Sequence, residues 1–78
     1  MGEEKRVMSL SEVPSGKTVR LIDIMSGIGL KKRLAAMGLL PGVEIAMVQN
    51  NGAGPVVINV RNGRMVLGHG MALKMRVV

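Results

Sequence analysis

Leu30, Leu34 and Met37 recur at i, i+4 and i+7, a spacing that stacks apolar side chains on one helical face. Lys31, Lys32 and Ala35 point elsewhere, so the opposite side is small and basic. This pattern predicts a short helix over about residues 29–37, with Ser26 or Gly29 helping to start it. Gly38 stands where a left-handed C-cap residue is wanted, since a Cβ there would clash with the backbone. Pro41 has no N–H and forbids a return to helix. Pro41-Gly42 then reads as a type II turn, with Gly42 taking the positive φ. From Val43 the period changes to two, and Val43–Val48 alternates as a strand.

The same two-residue period accounts for most of the remaining chain. Leu10 and Val13 are the first apolar anchors, and Pro14-Ser15-Gly16 is a turn. Thr18–Ile24 is a strand expected to place Val19, Leu21 and Asp23 on one face. Gln49–Pro55 is a polar loop, and Val56–Arg61 a strand with Val56, Ile58 and Val60 inward. Asn62-Gly63 predicts a two-residue type I′ hairpin, because that turn needs φ > 0 twice. Arg64–Leu67 returns antiparallel, Gly68–Ala72 reverses sharply, and Leu73, Met75 and Val77 form one face of a last strand. Strands this short hide their edges by curling. The expected fold class is all-β: a small five-stranded antiparallel barrel with one helix inserted between its first two strands. Residues 1–8 are expected to be a flexible N-terminal segment, and 9–78 a single domain.

Composition bears on how such a core is filled. The 78 residues include no Cys, Phe, Tyr or Trp, but eight Met. Disulfides and thiolate metal sites are excluded, and the core rests on aliphatic side chains and adaptable methionines. A chain this short buries roughly 60–65% of its unfolded surface, so its stability margin is thin.

Eleven Lys and Arg against five Asp and Glu give a net charge of +6, which favours an anionic partner: nucleic acid, an acidic protein surface or anionic lipid. Lys31-Lys32-Arg33 is the one basic cluster. Readers of single strands or RNA add aromatic platforms for the bases, and this chain has none. A duplex-reading helix would need polar side chains where Ala35 and Ala36 stand. No apolar run approaches the roughly 20 residues of a membrane-spanning helix. The N-terminus lacks the apolar centre of a signal peptide and the Ser or Thr of a myristoylation signal. A cytoplasmic protein without membrane insertion is expected, with peripheral membrane contact left open.

Candidate chemistry is sparse. Gly16-Lys17-Thr18 looks like the end of a phosphate-binding loop, but it opens a strand rather than a helix and Ser11 replaces the earlier glycine. His69 is the only histidine and the weak candidate for a metal contact. It lacks companion ligands, and its flanking glycines make a turn position the simpler reading. The carboxylates Glu3, Glu4, Glu12, Asp23 and Glu44 are scattered. No nucleophile–base pair is visible, so no enzyme and no cofactor are expected.

The order Leu10, Gly16, strand Val19–Ile24, Arg33-Leu34-x-x-Met37-Gly38-Leu39-x-Pro41-Gly42, Asn62-Gly63, and Leu67-Gly68 through Ala72 resembles the ferrous iron transport protein A (FeoA) family. The likeness spans about Leu10 to Val77 and is most specific at the corner. It implies a small cytoplasmic SH3-like barrel acting with FeoB, a membrane ferrous-iron transporter with a cytoplasmic GTPase domain. The same domain resembles the C-terminal module of iron-dependent repressors. Their DNA-binding and metal-sensing parts have no counterpart here. Iron enters this reading only through the family name.

The expected function is therefore accessory or regulatory: docking on an FeoB-type transporter. Lys31, Lys32 and Arg33 would supply charge, and Leu39, Leu40 and Pro41 a rigid apolar corner. Gly38, Gly42, Asn62 and Gly63 would be structural. Leu34 and Met37 are expected to plug the barrel, while Leu39 and Leu40 divide evenly between plugging it and facing a partner. The rival is a basic nucleic-acid-associated or repressor-related SH3-like module.

Overall fold

A computed structural model describes residues 6–61 and 63–78. The chain runs β1 (Met8–Ser9), a 3-10 turn (Leu10–Glu12), β2 (Thr18–Ile24), α1 (Ile28–Ala36), β3 (Glu44–Asn50), β4 (Val56–Val60), β5 (Gly63–Leu67), α2 (His69–Leu73) and β6 (Met75–Val77). The strands form one antiparallel sheet in the order β1-β6-β2-β3-β4-β5. Every strand from β2 to β6 sends side chains into one aliphatic core, which includes Leu10, Val19, Leu21, Ile45, Met47, Ile58, Met75 and Val77. The sheet wraps that single core, so that one cluster of aliphatic side chains serves all its strands.

The all-β reading stands, with one strand, the 3-10 turn and α2 beyond the elements expected. β1 is only two residues long, and Met8 pairs with Val77. Met8 is thus part of the sheet, and residues 1–5 of the N-terminal segment expected to be flexible lie outside the described residues. The Gly68–Ala72 reversal is a short helix. Ala72 is buried there and Leu73 is exposed, so Leu73 does not share the inward face of β6.

β2 departs from strict alternation. The register against β6 shifts between Leu21 and Asp23, so Ile24 takes the inward place and Asp23 is left half-exposed. A bulge inserts one residue into one strand and moves every later side chain to the other face. At the β4–β5 hairpin, Gly63 pairs with Val60 and carries φ +122°. Gly63 therefore closes the ladder, rather than sitting beyond it as the second turn residue. The expected role of Asn62 lies outside the described residues.

Candidate docking site

The corner is built by α1 and the six residues after it. Gly27, rather than Ser26 or Gly29, is the N-cap and makes no side-chain cap; the first turn closes by the Lys31 amide donating to the Gly27 carbonyl at 3.2 Å. At the other end Met37 is the C-cap and 41% exposed, so it does not plug the barrel as its spacing suggested. Leu34 does, and Leu30 packs against the core beside it.

Gly38 follows in the left-handed region at φ +94°. Its amide donates to Ala35 O and the Leu39 amide to Leu34 O, both at 2.9 Å. These two bonds make a Schellman closure, in which the residues at its two ends meet through apolar contact. Both are buried, Leu34 at 3% and Leu39 at 1% exposure. Leu39 is therefore core, and its expected role as a contact residue reduces to flooring the surface above it.

The chain then turns at once. The Val43 amide donates to Leu40 O at 3.1 Å with Gly42 at φ +95°, as a type II turn over Pro41-Gly42 demands. This turn is tied to β2 from three directions. Gly42 N donates to Leu21 O at 2.7 Å, Leu21 N to Val43 O at 2.9 Å, and Arg20 Nη1 to Gly42 O at 2.8 Å. Arg20 also lies 3.8 Å from Glu44, an exposed pair that contributes little by itself.

Between α1, the turn and the end of β2 lies a groove of about 230 Å³, lined by Asp23, Ile24, Lys31, Lys32, Ala35, Leu39, Leu40 and Pro41. Five of the six residues expected at a contact surface meet there. Arg33 does not; it is exposed and lines no part of this groove. Leu40, 52% exposed, supplies the open apolar side chain of the corner. Ala35 is small enough to leave the hollow between helix and turn. Asp23 went unrecognised as part of this surface, because the bulge that turns it outward has no sequence signature. Lys31 Nζ lies 3.7 Å from Asp23 Oδ1, with both side chains 46% exposed. Lys32 makes no ion pair among the described residues. Among the described residues, the groove thus has an apolar floor, one compensated cation and one without an ion-pair partner.

A larger hollow of about 450 Å³ between Thr18, Gly42, Glu44, Ala46, Asn59 and Arg61 gathers no comparable set, and its Glu44 already faces Arg20. Gly16 has φ +90° and the Lys17 amide donates to Pro14 O, so Gly16-Lys17-Thr18 is a turn leading into β2. His69 begins α2 half-buried. Among the described residues, no group of three or more His, Asp or Glu side chains is placed to hold a metal ion.

A Methanocaldococcus jannaschii protein bearing the name Fe(2+) transport protein A is 31% identical over 68 residues, covering 87% of this chain and 82% of its own length. The crystal structure of an iron uptake regulatory protein (FeoA) superposes with a TM-score of 0.84 at 32% identity, covering 92% of this chain and 96% of the other. Stenotrophomonas maltophilia FeoA, solved with zinc and described as an SH3 domain protein, gives 0.77 at 25% identity over 91% and 89% of the two chains. The match extends to the pattern of the FeoA domain itself over residues 8–78, from the first paired residue of β1 to the end of the chain, and the chain belongs to the FeoA domain family.

Proposed function

We propose that this protein is a non-enzymatic, cytoplasmic accessory protein of ferrous-iron uptake that docks on the cytoplasmic part of an FeoB-type transporter. Family membership supports the link to Fe(2+) transport. The observation that carries the docking site is the convergence of Lys31, Lys32, Leu40 and Pro41 on one groove with a buried Leu39 floor. A groove of about 230 Å³ accepts one or two apolar side chains, and Lys32 on its rim favours a carboxylate beside them. The partner segment is therefore an apolar anchor flanked by acidic residues.

The test is an NMR titration of labelled protein with the transporter's GTPase domain. Shifts are expected at the amides of Lys32, Ala35 and Leu40. A saturating titration that leaves those amides unmoved, with shifts elsewhere, overturns this site.

A further inference from the structure

Three of the exposed large apolar side chains belong to chain segments that meet at one end of the barrel. Ile28 is the most open of all at 73%, Met25 is 56% exposed and Leu73 54%. The Met25 amide donates to Lys74 O at 2.7 Å, which sets Met25 beside the residue after Leu73. Ile28 begins α1 three residues beyond Met25. The segments concerned are the end of β2, the start of α1, the end of α2 and the start of β6. None of these three side chains lines the hollows described above.

Cations surround them. Lys74 and Arg76 are exposed, and Arg76 Nη1 lies 3.9 Å from Met25 Sδ. Lys31 and Lys32 follow Ile28 at i+3 and i+4, on the same side of the helix. Among the described residues, two carboxylates are nearby. Asp23 accepts from the Ile24 amide at 2.7 Å and pairs with Lys31, and Glu12 lies on the 3-10 turn that packs against α2. Protruding apolar side chains flanked by cations, and lying outside the hollows described above, suit a flat, yielding, negatively charged surface.

We propose that this end of the barrel is a peripheral membrane contact, with Met25, Ile28 and Leu73 entering the headgroup boundary of an anionic leaflet and Lys74 and Arg76 meeting its phosphates. Such a contact needs both parts, since a few shallow apolar side chains or a few cations bind weakly alone. It does not depend on the transporter groove, and its test contains no transporter.

The experiment is co-sedimentation of the full chain with vesicles of phosphatidylcholine alone and of equal parts phosphatidylcholine and phosphatidylglycerol. Binding is expected to the mixed vesicles only, weakening as salt is raised. Lys74→Gln/Arg76→Gln should lower it on the order of 20-fold, about fivefold per cation. Met25→Gln/Ile28→Gln/Leu73→Gln should lower it by more than about tenfold. Ile28→Gln alone, at the most exposed position, serves if the triple variant fails to fold by circular dichroism. Val66→Gln, exposed on β5, should bind as the parent does. Absence of binding to mixed vesicles at low salt overturns the proposal, as does unchanged binding by the folded apolar variants, which would leave only the general +6 charge. A parent that sediments as a dimer and becomes monomeric on Ile28→Gln would show that a second copy covers the patch, and overturns it equally.

Discussion

The amide of Leu39 donates to the carbonyl of Leu34 across Gly38, at 2.9 Å, and both side chains are buried in the same core. One bond thus fixes where the helix stops and where the following turn begins. The exposed residues on either side, Lys32 before it and Leu40 after it, hold their relative positions because of it.

Gly38 and Gly42 should accordingly be intolerant of a side chain. At φ +94° and +95° an L-residue is strained even where space is open, as it is around Gly42. Gly38→Val and Gly42→Val are each expected to cost about 1–3 kcal/mol, read as a fall in urea midpoint. Gly29→Ala should act with the opposite sign. That position is helical with nothing within 4 Å of an added Cβ, and up to about 0.5–1 kcal/mol of helix propensity is gained.

Neighbours in sequence, Leu39 and Leu40 should separate by experiment. Leu39→Ala empties a core position and is expected to cost about 2–5 kcal/mol. Leu40→Ala, on an exposed side chain, should stay within about 0.5 kcal/mol of the parent in urea. Titration with the GTPase domain should nevertheless show weaker binding for Leu40→Ala. Normal affinity in that variant would remove the corner from the docking surface.

Charge reversal at the groove rim addresses steering. Lys31→Glu/Lys32→Glu should remain folded, although Glu at position 31 would face Asp23, because exposed ion pairs contribute at most about 1 kcal/mol. Association with the GTPase domain should slow and lose part of its salt dependence, measured by stopped flow. Most of the loss is expected from Lys32, since Lys31 is already compensated by Asp23.

Iron itself should not bind the isolated chain tightly. Among the described residues, His69 at the start of α2 stands without the companion ligands that a stable site requires. Calorimetry with ferrous iron under anaerobic conditions should give no saturable micromolar site. Such a site, lost on His69→Ala, would contradict this.

The corner was legible from sequence because its signals are local: a glycine that must take φ > 0, a proline that cannot donate, and a helical period that ends between them. β4 was equally plain, with Val56, Ile58 and Val60 all inward. What escaped were features set by distant contacts. β1 has two residues, too few to show a period, and exists because β6 offers an edge to Met8 and Ser9. α2 contains Gly70 and is a single turn, so propensity argued against it; it forms where it packs on the 3-10 turn and β6. The β2 bulge exchanged Asp23 for Ile24 in the core, and with that exchange created the carboxylate partner of Lys31. Chemistry visible as a cluster of like charges thus became a mixed surface through one register shift.

The bonds joining Leu21 to Gly42 and Val43 close the stretch between them into a lobe with a pinned neck. The barrel strands on either side meet at that neck however the lobe is filled. Apart from Leu30, Leu34 and Leu39, which pack in or against the core, residues 25–41 can therefore diverge in length and side-chain character at a modest entropic cost, since loop closure grows only slowly with length. Related domains could exchange this lobe as a cassette and acquire new partners while keeping one barrel. Leu34 and Leu39, which fill the core from the lobe, would have to be retained with Gly42 and its Arg20 clasp for the graft to seat.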